Sequence, residues 1–179
     1  CDGISPHTGE RYFNVGGLCN NENSYSEVYQ SIYIGEDDNC IDSGNMFAYY
    51  GGFLSTWNGS DYPEFNIEFA DDLGSIIESS LTIGSYNANW TNHSDEIRIP
   101  VGTRIINFVM MGTRNSGSDN DSYFDDMQLR LRSECDEYLI GDLNQDQIIN
   151  VIDVIQLINI ILNVNPTNIE IQIGDTNGD

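Results

Sequence analysis

Between residues 10 and 132 the chain alternates short apolar segments with clusters of turn residues. Segments 27–34, 46–55, 64–70, 75–84, 104–111 and 123–132 are rich in β-branched and aromatic side chains, which suit a pleated, half-buried surface. In the last of them Met127, Leu129 and Leu131 alternate strictly with Gln128, Arg130 and Arg132, the mark of a strand with one wet face. "GEDDN", "TWNGSDYP", "DDLG", "YNANWTNHSD" and "NSGSDND" read as the breaks. Short strands at this spacing, with no helical pattern between them, predict a mainly β chain folded as an antiparallel β-sandwich.

Beyond Cys135 the period changes. Positions 154–163 fit a helical repeat in which Gln156, Asn159 and Asn163 form a narrow polar stripe on an otherwise Val, Ile and Leu surface. That pattern predicts a helix buried over most of its circumference. Pro166 stops it. Ile169, Ile171 and Ile173 then alternate with Asn168, Glu170 and Gln172, predicting a terminal strand. The apolar run 148–162 is too short to span a bilayer, and Asp153, Gln156 and Asn159 interrupt it, so no membrane insertion is expected.

Charge narrows the partners. The 179 residues hold 29 acidic and 6 basic side chains, a formal net charge of -23. Such a surface repels nucleic acid and anionic membranes. A hydrophobic fraction of 39% with ten tyrosines argues for a packed core and against disorder. A cation binder remains, its carboxylates neutralised by a divalent metal. Calcium takes six to eight oxygen ligands, and a loop wraps it by offering them at positions 1, 3, 5, 7, 9 and 12. Counted from Asp142, those positions are Asp142, Asn144, Asp146, the Ile148 carbonyl, Asn150 and Asp153. "GDTNGD" starts the same spacing at Asp175, Asn177 and Asp179. Ca2+ is therefore the expected cofactor.

These loops resemble a dockerin repeat: Asp closes the first one, Asn stands at its ninth position, and a helix follows with none before it. Gln147 replaces the usual glycine, which removes no ligand. The second half-repeat is represented only by its opening residues. Upstream, "IPVGTRIINFVMMGTRNSGSDNDSYFDDMQLRLR" and "SPHTGERYFNVGG" resemble the two ends of galactose-binding-like jelly-roll domains, as found in bacterial carbohydrate-binding modules. The resemblance implies a jelly-roll sandwich over residues 1–133, a linker at 134–140, and a calcium loop, helix and terminal strand over 141–179. It also implies a structural calcium near Asp125 or Asp126, with Thr8 as a further ligand. Such domains carry one more strand ahead of "PHTG" than this chain shows, so an uncovered sandwich edge is expected.

Four cysteines lack the C-x-x-C spacing of zinc or redox sites. Their even number suggests two disulfides and an extracellular or cell-surface setting. Three pairings are open, and Cys19–Cys40 with Cys1–Cys135 is the favoured one. The sequence opens on Cys1, so either a removed leader or a mature fragment is expected. Sequons at Asn58, Asn89, Asn92 and Asn120 offer glycosylation sites on a secreted surface. Trp57, Trp90 and the pair Tyr49–Tyr50 are candidates for stacking on sugar rings. Only His7 and His93 are available as bases, and no nucleophile or phosphate motif accompanies them. A non-catalytic role is expected. The leading expectation is a calcium-binding structural subunit of a head-to-tail fibre or surface assembly. Its 169–173 strand would complete a neighbouring copy's sandwich. The alternative is a carbohydrate-binding module with a dockerin-like tail, in a polysaccharide-degrading or adhesive assembly.

Overall fold

The computed structural model describes residues 3–16, 23–135, 140–144, 146, 148–162, 167, 171 and 173–174. It divides into two compact units, Cys1–Cys135 and Asp136–Asp179.

The first unit contains β1 (Phe13–Asn14), β2 (Tyr25–Tyr33), α1 (Asp38–Asp42), β3 (Met46–Thr56), β4 (Tyr62–Ala70), β5 (Ile76–Ser79), β6 (Ile83–Gly84), β7 (Thr91–Arg98), β8 (Ile105–Thr113) and β9 (Ser122–Ser133). The strands form two antiparallel sheets: a four-stranded one in the order β1-β9-β3-β7, and a five-stranded one in the order β2-β8-β4-β5 with β6 also on β4. This is the expected mainly β jelly-roll sandwich. Alternation sets the faces: along β4, Phe65, Ile67 and Phe69 are fully buried, while Glu64, Asn66 and Glu68 between them are half-buried on the outer side. Tyr50 and Phe124 join from the other sheet, both fully buried. Phe65 meets Tyr50 edge-on at 6.1 Å and stacks on Phe108 at 5.7 Å. Burying each such ring or aliphatic side chain contributes roughly 1.5–3 kcal/mol.

β7 begins within "YNANWTNHSD", read above as a break, and runs on to Arg98. Its outward positions are Asn92, Ser94 and Glu96, and it sits at the sheet edge on β3. An edge strand needs little apolar character, so the period-two signal was weak. On β9 the register with β3 slips between Gly51 and Phe53. Asp126 absorbs the extra residue with φ 49°, a left-handed conformation that Asp tolerates better than most side chains.

The disulfide joins Cys40 to Cys135, across 95 residues with Cα atoms 5.7 Å apart. This corrects the pairing favoured above. Cys40 sits in α1 and Cys135 just past β9, beside Ser133, whose Oγ lies 3.1 Å from the Cys40 sulfur. Register brings the end of β9 to the start of β3, and hence to α1. Cys1 and Cys19 lie outside the described residues.

In the second unit α2 runs Val151–Leu162. Asn150 caps it, its Oδ1 accepting from the Ile152 N–H at 2.7 Å, and Asp153 reaches back to the Asn150 N–H at 2.8 Å. That reciprocal arrangement is a capping box. At its described positions the expected terminal strand is not extended. Ile171, Ile173 and Gly174 are helical, with the Ile171 N–H on the Thr167 carbonyl at 3.1 Å. Ile173 is 1% exposed and accepts from the Gly141 N–H at 2.8 Å, so this segment folds back on its own unit. A Cβ added at Gly174 would lie 3.5 Å from Leu157 and 3.8 Å from Leu143. The helix departs from expectation too: Val151, Ile155, Ile158, Ile161 and Leu162 are exposed. On α2, Asp153 is buried and Leu157 half-buried.

Candidate functional site: a tyrosine-walled groove and a carboxylate loop

The outer face of the five-stranded sheet is built by register. Tyr25, Glu27, Tyr29, Ser31 and Tyr33 alternate outward along β2 and stand opposite Thr113, Met111, Val109, Asn107 and Ile105 of β8. These in turn face Tyr62, Glu64, Asn66, Glu68 and Ala70 of β4. Successive tyrosines on β2 are four residues apart, or about 13 Å along a strand. Tyr29 and Tyr33 are 63% and 66% exposed, as an edge strand allows. Within this face lies a groove of about 370 Å³ lined by Glu27, Tyr29, Ser31, Glu68, Asn107 and Val109, among others.

Its polar groups are partly ordered. The Tyr25 hydroxyl donates to Glu27 at 2.7 Å. Burial, with the Glu27 hydrogen bond and charge next, pushes the phenol up to about 12. Ser31 donates to Asn107 Oδ1 at 2.7 Å, and Asn107 Nδ2 to Glu68 at 3.4 Å. Asn66 Oδ1 is buried and has no hydrogen-bond partner. Burial raises the carboxyl of Glu64 above its ordinary range. Tyr62 stacks on Tyr86 at 4.4 Å, adding a ring pair at the Tyr62 end of the face.

Sequence reasoning missed this groove. Its residues alternate outward on three strands, and only the pairing register assembles them. Of the residues singled out for stacking, Trp57 is 46% exposed. Trp90 donates its Nε1–H to the Ser5 carbonyl at 2.8 Å and packs edge-on against Tyr12, which gives it an anchoring role. Tyr50 is in the core, and Tyr49 is half-buried on the opposite sheet.

The structure brings together the residues expected near a jelly-roll calcium. Asp125 Oδ2 accepts from the N–H groups of His7 (2.8 Å) and Thr8 (3.3 Å), and its Oδ1 from the Asp126 N–H at 2.8 Å. Asp126 accepts from Thr8 Oγ1 at 2.7 Å and pairs with His7 Nδ1 at 2.8 Å. The Thr8 hydroxyl, with His7 second, holds the Asp126 carboxyl below the usual range. All four carboxylate oxygens meet protein donors, and in this arrangement the pair staples the N-terminal segment. His7 completes it by stacking on Phe53 at 3.5 Å.

The loop from Asp142 to Asp153 behaves differently. Asp142 and Asp153 are 3% and 2% exposed, whereas Asp146 and Ile148 face solvent. Asp142 Oδ1 accepts from the Asp146 N–H at 3.2 Å, and Asp153 Oδ1 from that of Asn144 at 3.2 Å. These N–H groups, Asn150's foremost, hold the Asp153 carboxyl below its ordinary range. Residues 136–179 contain no Lys, Arg or His. Two buried carboxylates thus share a unit with no cationic side chain, and an isolated buried charge is costly. Among the described residues no three His, Cys, Asp or Glu side chains cluster as a metal site by themselves. The donor set here is mixed, with the Asn144 and Asn150 amides and the Ile148 carbonyl beside the acids. It suits a hard, oxygen-seeking cation. Asp175, Asn177 and Asp179 lie outside the described residues.

Asn58, Asn89 and Asn92 are exposed. Asn120 is fully buried, its Nδ2 donating to the Gly112 carbonyl at 2.8 Å and its Oδ1 accepting from Ser122 at 2.8 Å. A glycan on Asn120 is incompatible with this fold. His93 lies 2.9 Å from the Thr91 hydroxyl. Among the described residues no helix is long and apolar enough to cross a membrane.

The first unit is an antiparallel two-sheet β-sandwich. Among solved structures the chain is similar to TmCBM61 in complex with beta-1,4-galactotriose, at 16% identity and a TM-score of 0.41 over 72% of this chain and 74% of that one. It is also similar to a CBM4 module, at 12% identity and a TM-score of 0.37 over 60% of this chain and 61% of that one. The enzymatically active domain of bacteriophage CBA120 tailspike protein 4 is similar at 12% identity and a TM-score of 0.45, over 60% of this chain and 14% of the tailspike chain. These likenesses are of fold alone. The sequence matches no known protein-family profile and no curated protein.

Proposed function

We propose that this chain is a non-catalytic extracellular glycan-binding module with a calcium-held C-terminal unit. The groove carries the reading. Three in-register tyrosines stand at the edge of a floor of amide, carboxylate and apolar side chains. Sugar rings need that combination: flat apolar faces to stack on, and fixed polar groups for hydroxyls. The Cys40–Cys135 bridge supports an oxidising compartment. Ca2+ is assigned to Asp142, Asn144, Asp146, the Ile148 carbonyl, Asn150 and Asp153, where it would neutralise buried carboxylates in a unit that carries no cationic side chain of its own.

Titration of a glycan panel into the full chain tests the reading, with Tyr29→Ala as the control. Tyr29 is mostly exposed, so its loss leaves the core intact. Weakening of any bound glycan by about tenfold is expected, the scale of one aromatic contact with its buried area. Glycan binding unchanged in Tyr29→Ala, or no glycan bound at all, refutes it.

A further inference from the structure

Resting on that groove, the structure points to its ligand class: we propose that it takes amine-bearing, positively charged sugars, such as glucosamine oligomers with free amino groups, in preference to neutral or acidic ones. The rows of the sheet place Glu27–Met111–Glu64 on one side of the Tyr29–Val109–Asn66 row and Ser31–Asn107–Glu68 on the other. Glu27, next to Tyr29 on β2, and Glu68, on β4, line the groove, and Glu64 stands on the same outer face of β4 beyond Asn66. No Arg, Lys or His lines the groove, and the chain has no lysine anywhere.

The hydrogen-bonding inventory is as one-sided as the charge. Glu27 and Glu68 are acceptors whose only donors in the groove are the Tyr25 hydroxyl and the Asn107 amide, the latter at a long 3.4 Å. Asn66 Oδ1 is a buried acceptor with no donor. Glu64, half-buried, meets no basic group, and burial alone accounts for its raised proton affinity. A neutral hydroxyl brings one donor and one acceptor. A protonated amine brings three donors and the compensating charge. Against carboxylates that keep spare acceptor capacity the amine satisfies more groups and introduces no acceptor of its own. Uronic acids and sulfated sugars would add charge of the sign already in excess, and such like-charge juxtaposition is costly.

The experiment titrates the full chain with a trisaccharide of glucosamine, its fully N-acetylated counterpart, neutral xylose and galactose trisaccharides, and a uronic-acid trisaccharide. The buffer keeps the amines protonated and holds about 0.15 M salt, so that charges beyond roughly 8 Å are screened. The amine trisaccharide is expected to bind about tenfold or more tighter than the acetylated one, the scale of one charged hydrogen bond. Glu27→Gln/Glu64→Gln/Glu68→Gln should abolish that preference. The charge-matched Glu10→Gln/Glu36→Gln/Asp38→Asn, on exposed acids outside the groove, should keep it. If neutral trisaccharides bind through Tyr29 with equal or greater affinity, the amine proposal falls and the glycan-binding reading stands. If both triple variants lose the amine preference equally, the attraction is that of the whole surface and the proposal falls. If no trisaccharide binds, both fall.

Discussion

Removing the Cys40–Cys135 bridge tests how the sandwich is held. The bond closes a loop of 95 residues that spans β3 through β9. In the chain-entropy description, a cross-link over n residues removes about 2.1 + 1.5R ln n cal/mol/K from the unfolded chain, which for this loop is about 4.7 kcal/mol at 25 °C. For a unit of this size each kcal/mol moves the midpoint by roughly 3–5 °C, so the shift comes to about 15–20 °C. Cys40→Ser/Cys135→Ser removes the bond without leaving a reactive thiol at either end. Both sites touch serine hydroxyls, Ser133 at Cys40 and Ser43 at Cys135, so the introduced hydroxyls have partners. Calorimetry of the double variant against the parent reads the effect, and non-reducing peptide mapping identifies the bond. A midpoint within about 3 °C of the parent refutes the loop-entropy account. A mapped Cys19–Cys40 peptide refutes the pairing itself.

Four further outcomes are expected. Asp142→Ala with Asp146→Ala should abolish calcium-dependent stabilisation, which at ligand a thousandfold over Kd amounts to about 4 kcal/mol; a thermal shift with calcium that persists in the variant overturns the site. Asp61, fully buried, accepts from the N–H groups of Asn115, Ser116 and Asp121 at 2.9, 3.3 and 2.7 Å, so Asp61→Ala should cost about 3 kcal/mol in urea unfolding. Acid should release the N-terminal segment: the Asp126 pKa is depressed in the fold, so its contribution is complete above the unfolded value near ~3.9 and is lost as pH falls through the folded one. Thr8→Ala/His7→Ala should flatten that acid limb in a pH series of melts. Expressed in a glycosylating host, the chain should carry glycans on some of Asn58, Asn89 and Asn92, and mass spectrometry should find none on Asn120.

What the sequence disclosed follows from period. Strands with one apolar face, such as β4 and β8, announce themselves because their buried residues recur every second position. β7 was hidden by a polar outer face at the sheet edge. The 169–173 segment was ambiguous in kind: Ile169 and Ile173 are four apart, which suits a helix, while Ile171 between them completes a strand pattern. The fold decides through Ile171, which is 55% exposed where an alternating strand would bury it with Ile173. The groove was illegible for another reason. Tyr25, Tyr29 and Tyr33 are visibly periodic, but the amide and carboxylate opposite them lie some 35 to 80 residues away, and no local signal gives that register. The N-terminal staple was half legible, since the resemblance named Thr8 and Asp126 together but gave no sign of the His7 contacts.

Charge separates the two units, and this dictates how calcium should act. All six arginines lie in the first unit, where Arg104 holds Asp42 at 2.7 Å and Arg132 bridges Glu96 and Glu134 at 2.9 and 2.6 Å. The second unit has eight of the 29 acids and no base. Its folded form buries Asp142 and Asp153 with Leu143 and Ile173, a small apolar centre to set against two desolvated charges. If calcium supplies the missing charge, chelation should melt the second unit and leave the sandwich and its groove folded. Hydrogen exchange would show this as loss of protection across Val151–Leu162 with β3, β4 and β8 unchanged. Equal protection of α2 with and without chelator would mean that the loop's own N–H donors suffice for the two carboxylates, and the metal assignment would fail.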